Sequence, residues 1–435
     1  MMLPQHRDEP LVGRVAVCLE QLIYLRFTLM SAHLTKSAVV TPTLALVCLS
    51  VLSAAISAEP LYIQPDQDDM TAWLTMDTRA YGASAPGLSI ALHHSDQSLA
   101  LAEGITSPDS GRLLSTRDGF HVGSVTKTFT AALIMQLAQS GELSLDEPIE
   151  RWVQFPQDNL LTIRMLLAHT SGLKGFDESD EFNNSLSPEA SMRIASSLPP
   201  LFAPGEDWAY SNTNYLLLGI IAERVAGRSW EDQIQSRFIR PLGLTQTYIW
   251  TGHFERSTVS GLSLRCIGKP AKPAGSACLA SGQVEPRTVK NGRDWQVAWA
   301  AGGMVSTPTD LVIWFNALMT GKVVDHHHLQ LMKTGTPQAA RALKSFKPRG
   351  KTRLAGYGLG LFLIDVDGVG VLWGHPGLIN GFAAEVAFFD RTSSTFALTT
   401  NYEFADTYKL LGELVAKVIV PKPASRPAST AIKPH

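Results

Sequence analysis

The sequence has no surplus of charge of either sign: 37 Lys and Arg stand against 39 Asp and Glu, a net charge of −2 at neutral pH. No basic stripe runs along it, so nucleic acid is excluded as a partner. Internal repeats and a low-complexity core are also missing. What remains is a globular chain of 435 residues, 45% hydrophobic, long enough for one large domain or two. The run Asp325-His326-His327-His328 has no companion ligands and reads as solvated surface in a loop after a helix end. Neither a metal nor an organic cofactor is expected.

Cysteine is rare too, at four positions: Cys18, Cys48, Cys266 and Cys278. The first two fall in a leading stretch expected to be removed. Ser37 to Ala58 is apolar and ends in small residues before Glu59-Pro60, the pattern of a secretory signal. Thr41, Pro42 and Thr43 interrupt a run already short for about 30 Å of hydrocarbon, so no stable membrane span is expected after cleavage. Val47 before Cys48 argues against a lipid anchor. Asp8, Glu9 and Glu20 suit the front of a signal poorly, whereas Met30 followed by His33 and Lys36 suits it well; Met30 is the expected start, and the periplasm or the exterior the expected location. Cys266 and Cys278 flank a Gly/Pro-rich loop, and both a disulfide and two free thiols stay open.

Residues 59–420 form the expected folded domain, between residues 1–58 and a disordered tail at 421–435. Pro86 to His94 and Ser98 to Gly104 flank a Ser95-Asp96-Gln97 turn, as in a β-hairpin. From Ser124 an almost wholly apolar stretch runs to Gly141, which predicts a buried helix. The middle third is helix-rich. Ser187-Pro188-Glu189 reads as a cap with proline at the first helical position, and Asn214 to Ala226 is apolar at helical spacing up to Gly227. A helix from Thr307-Pro308 through Met319 precedes period-two runs at Leu361–Val366, Val369–Trp373, Phe382–Phe389 and Thr395–Thr400, with turns at Gly377–Gly381 and elsewhere. A last helix is expected from about Phe404 to Val418. The fold class is α/β: a mixed antiparallel-sheet domain from about 75–140 and 290–420, with an all-α lobe inserted at about 141–289.

Two Ser-x-x-Lys matches occur, Ser124-Val-Thr-Lys127 and Ser171-Gly-Leu-Lys174, about the number chance supplies. Gly172 and the lack of a following apolar helix leave the second pair without register. On a helix, residues three apart share a face, so the Lys127 amine can reach the Ser124 hydroxyl, and burial would lower its pKa. Tyr210 and Asn212 lie two residues apart just before a helix. A phenol beside an ammonium ionises more readily and can relay a proton, while Asn212 can hold a substrate carbonyl or fix Lys127. In Trp373-Gly374-His375-Pro376-Gly377-Leu378 a strand ends in small residues that let a substrate backbone approach, and a protonated His375 can bind a carboxylate.

Ser124-Val-Thr-Lys127, Tyr210-Ser-Asn212 and His375-Pro-Gly377, in this order, resemble the serine β-lactamase and penicillin-binding protein superfamily, in its class C-like branch. His169-Thr-Ser-Gly-Leu173, Pro241-Leu-Gly-Leu244, Ala301-Gly-Gly-Met304 and Gly356-Tyr-Gly-Leu-Gly360 extend the likeness over roughly 75–420. The resemblance implies an α/β sandwich beside an all-α lobe with the site between them. It implies an acyl-enzyme on Ser124, base and acid roles shared by Lys127 and Tyr210, and a pocket lined by Asn212, His375 and Gly377. The N–H groups of Ser124 and Leu378 would make the oxyanion hole. His375 stands where most β-lactamases have Lys, which shifts the expectation toward an ester or peptide-like amide as the small-molecule or peptide substrate. A D,D-carboxypeptidase, a weak β-lactamase and a non-hydrolysing penicillin-binding receptor are the alternatives.

Overall fold

The computed structural model describes residues 87–419 apart from 95–96, 157–159, 184–185, 252–258, 267–283 and 290–296. The signal segment, the Met30 start, the hairpin turn at residues 95 and 96, the pairing of Cys266 with Cys278 and the tail therefore lie outside the described residues.

Strands β1 (Leu88–His94) and β2 (Gln97–Glu103) form the expected hairpin, with Ile90 opposite Leu101. Two-residue β3 (Phe120–His121) leads into a 3₁₀ turn, Gly123–Val125, and then helix α1 (Thr126–Gln139). Nearly every side chain of α1 is buried, as its unbroken apolar sequence requires. Short helices follow at Ile163–Ala168 and Pro188–Ser197, the second capped by Ser187 accepting from the Ala190 N–H with Pro188 at its start. Helix α2 (Asn212–Ala226) ends at Gly227 in the left-handed conformation.

Strands return earlier than the composition suggests. β4 (Tyr248–Ile249) joins β3 through β7 (Met304–Ser306), and β5 (Gly261–Cys266) pairs with β6 (Val284–Val289). The all-α stretch thus closes near Ile239 rather than at residue 289. Helix α3 (Pro308–Met319) starts at the expected Thr307 cap. His326–Met332 is a helix whose N-terminus Asp325 caps, accepting from the His328 N–H at 2.8 Å. That corrects the loop expected there. Asp325 serves as the cap because its carboxylate accepts the orphan N–H groups of a helix start.

Strands β8 (Thr352–Tyr357), β9 (Phe362–Val366), β10 (Gly370–Ile379), β11 (Phe382–Phe389) and β12 (Ser394–Thr400) complete an antiparallel sheet in the order β2-β1-β12-β11-β10-β9-β8. Helix α4 (Thr407–Ile419) closes the described chain. Every residue of β11 is buried because both faces are covered. Ala384, Val386 and Phe388 join the core with α1 and α3, whereas Ala387 and Phe389 join that of α4. Across the first layer the Phe129 and Trp314 rings stack at 3.8 Å, tying α1 to α3.

β10 does not end at Trp373 as expected but continues through His375, Pro376 and Gly377 to Ile379. The reason is positional. β9 pairs only as far as Gly374, so beyond it β10 is a free edge on that side, where proline costs no ladder hydrogen bond. The reversal is confined to Asn380-Gly381.

Candidate active site

Ser124 sits in the 3₁₀ turn that opens α1, and Lys127 one turn later, fully buried. Its Nζ lies 3.0 Å from Ser124 Oγ, 2.8 Å from Asn212 Oδ1 and 2.7 Å from the Ala301 carbonyl. As an ammonium, Lys127 donates to all three. As an amine it spends two N–H groups on Asn212 and Ala301, which aims its lone pair at the Ser124 hydroxyl. Burial lowers its pKa from 10.5 to about 7, against a smaller upward pull from Asp177. Asp177 also accepts from Asn212 Nδ2 at 2.9 Å and so orients the amide oxygen toward Lys127.

Ser171 is buried and donates to Asn214 Oδ1 at 2.6 Å, so the rejected Ser-x-x-Lys pair is committed to structure. Tyr210 lies beside Lys127, with Nζ 4.9 Å from the ring centroid. Its buried hydroxyl has no hydrogen-bond partner among the described residues. Burial pushes the phenol well above 10, outweighing the influence of the Ser124 hydroxyl. This corrects the expectation that a neighbouring ammonium eases its ionisation: the phenolate loses its solvent, and Lys127 is not a permanent cation.

His375 reaches the site differently from its expected carboxylate-binding role. It is fully buried, with Nδ1 2.7 Å from the Pro376 carbonyl and Nε2 3.3 Å from the Tyr357 hydroxyl. A nitrogen facing a carbonyl carries the proton, so Nε2 accepts from Tyr357. Burial, then the nearby Lys127, drives its pKa from 6.5 to about 3, and the ring stays neutral.

Two glycines bring that edge to Ser124. Gly123, at φ +49°, lies so close to the Leu378 backbone that a Cβ would meet its nitrogen at 2.9 Å. A Cβ on Gly377 would meet the Val122 carbonyl at 2.0 Å. The approach sets the Leu378 backbone against the start of α1, while the Leu378 side chain points outward, 65% exposed.

Three participants carry no functional assignment in the sequence: Asp177, Tyr357 and His169. His169 ends the helix Ile163–Ala168 at φ +58° and packs 4.4 Å from the Tyr210 ring. Its Nδ1 accepts from the Ser211 N–H and from Asn214 Nδ2, so the proton sits on Nε2; burial holds its pKa well below 6.5. His169, Ala301 and Tyr357 fall in the short stretches flanking the main motifs, which were their available signal. Asp177 had none.

A cleft of about 940 Å³ opens on Ser124 and Tyr210, and Gly377 and Leu378 line it. Its walls are largely apolar, with Trp208, Phe346, Leu354, Phe362 and Phe404 contributing.

The family model described as Beta-lactamase matches residues 75–418. Penicillin-binding protein 4 of Amycolatopsis lactamdurans is 26% identical over 80% of this chain and 91% of its own length. A penicillin-binding protein of Bacillus subtilis (strain 168) is 33% identical, but the match spans only 38% of this chain and 37% of that protein. Among solved structures, D-amino acid amidase from Ochrobactrum anthropi SV3 has a TM-score of 0.66 at 28% identity, covering 81% of this chain and 97% of that one. D-stereospecific amidohydrolase from a Streptomyces species has a TM-score of 0.66 at 25% identity, covering 81% and 98%.

Proposed function

From a chain that belongs to the Beta-lactamase family and is a serine hydrolase, we propose an exported enzyme that cleaves an ester or peptide-like amide through an acyl-enzyme on Ser124. The observation that carries this reading is the Lys127 amine, at about pKa 7, held 3.0 Å from Ser124 Oγ by Asn212 and Ala301.

Neutral Lys127 takes the Ser124 proton as Oγ attacks the substrate carbonyl. The N–H groups of Ser124 and Leu378 receive the developing oxyanion. Tyr210, kept as a phenol, gives its proton to the leaving alkoxide or amine and recovers one from the Lys127 ammonium. Water then attacks the acyl carbonyl as Lys127 accepts its proton, and Lys127 passes that proton to Ser124 Oγ as the acyl C–O bond breaks, releasing the acid and restoring both residues. His375 and Tyr357 hold the β10 edge, and Asn212 fixes Lys127. Export to the periplasm or exterior is part of the proposal and is supported by the apolar Ser37 to Ala58 stretch.

The D-amino acid amidase and D-stereospecific amidohydrolase neighbours make amides of D-configured residues the first substrates to try. A D,D-carboxypeptidase is the second reading, supported by the near full-length match to a penicillin-binding protein. The test is turnover of a chromogenic ester, D-phenylalanine amide, a D-Ala-D-Ala peptide and nitrocefin by the wild-type protein and Ser124→Ala. Turnover of an ester or amide that falls at least about 10³-fold in the variant supports the proposal. Acylation without turnover would point instead to a receptor, and unchanged activity in the variant would refute the assignment.

A further inference from the structure

Arg349 lines the cleft and is the one cation among its described lining residues. It is exposed and makes no ion pair among the described residues. Its placement is built. The Arg349 N–H donates to the Thr352 carbonyl at 2.9 Å and the Thr352 N–H returns the bond at 3.0 Å, closing a tight turn before β8. The Thr352 hydroxyl donates to the Tyr408 carbonyl at 2.8 Å, fixing that turn to α4. The guanidinium then lies over the Tyr408 ring, 5.6 Å from its centroid.

The nearby carboxyls have other partners: Asp406 accepts from the Lys409 N–H. Glu403 is engaged by the Gly381 N–H and the Ser263 hydroxyl. Glu385, under the Thr407 wall, accepts from the Thr407 hydroxyl at 2.9 Å, and burial raises its pKa to about 8, so it is a neutral acid at pH 7. The walls of the cleft that holds both Ser124 and Arg349 are largely apolar. His375, where the superfamily resemblance would place a cation, is buried and neutral.

We infer that this cleft selects substrates with an elongated apolar arm ending in an anion, a carboxylate or similar oxyanion, which Arg349 receives while the scissile carbonyl sits at Ser124. The inference rests on the proposed hydrolase and deepens it by naming the substrate class. A guanidinium on a carboxylate forms two parallel hydrogen bonds, a pairing that a neutral arm of equal length cannot offer.

The experiment compares two chromogenic p-nitrophenyl esters of equal acyl length, one ending in methyl and the other in carboxylate. Each is assayed on wild type, Arg349→Ala, Arg349→Lys and Arg349→Glu. Arg349→Ala is expected to lower kcat/KM for the anionic ester at least about five-fold, mainly through KM, and to leave the neutral ester within about two-fold. Arg349→Lys should recover part of the loss and Arg349→Glu should reverse the preference. Equal effects on both esters, or none, would overturn the anion subsite while leaving the hydrolase standing. Absence of Ser124-dependent turnover of either ester would remove the hydrolase and this inference with it.

Discussion

In the proposed mechanism Lys127 is the base because a buried amine is the cheaper proton acceptor here. The enclosure that brings it to about 7 drives Tyr210 well above 10, so at neutral pH the amine is half free and the phenol intact. With a neutral ester, kcat/KM should therefore rise through pH about 7 as Lys127 loses its proton, with no second limb near 6.5, because His375 titrates at about 3. Asp177 raises the Lys127 pKa, so Asp177→Asn should move the limb to lower pH. A midpoint near 10, or an upward move in the variant, would contradict this assignment. The Ser124 and Lys127 pairing was legible from residue types and spacing. The sign of the Tyr210 shift was not, since it depends on enclosure by elements remote in sequence.

Among the elements, the free edge of β10 and the opening turn of α1 must meet without side chains between them. Gly377→Ala would drive a Cβ into the Val122 carbonyl, at 2.0 Å, and push Leu378 away from Ser124. The expected result is a fall in kcat/KM of about 10²-fold or more, larger than the accompanying fall in Tm suggests, because misplacement near 1 Å carries such a penalty. Unchanged activity would show that this edge takes no part. The glycine was visible in the sequence, yet its strand was expected to stop at Trp373. Period-two patterning cannot show where a neighbouring strand leaves and a proline becomes tolerable. The helix at His326–Met332 escaped for a similar reason, since it is short and its cap is followed by three histidines.

At the scale of the whole molecule, alternation along β11 divides one sheet between two covering layers, and Glu385 falls on the side of α4. Its carboxyl is raised from 4.5 to about 8, so the folded chain keeps a proton that the unfolded chain releases. The resulting contribution to stability is fully present below about pH 4.5 and is lost as pH rises through about 8. Glu385→Gln should accordingly gain Tm relative to wild type between pH 5 and 8, whereas parallel Tm curves would contradict a buried neutral acid. The sheet, its hairpin and its major helices were readable from apolar periodicity. The strands between Tyr248 and Val289 were not: β4 is two residues long and pairs with β7 far along the chain, and β5 and β6 carry Arg265, Glu285, Pro286 and Arg287 in place of an apolar alternation.

The nucleophile itself is tested most directly by mass-mapping a fluorophosphonate adduct on the full chain, with Ser124→Ala, Ser171→Ala and Lys127→Ala alongside. The account predicts one adduct, on the peptide containing Ser124. It should persist in Ser171→Ala, vanish in Ser124→Ala and form at least about 10²-fold more slowly in Lys127→Ala. An adduct on any other serine, or undiminished labelling of Ser124→Ala, would contradict it.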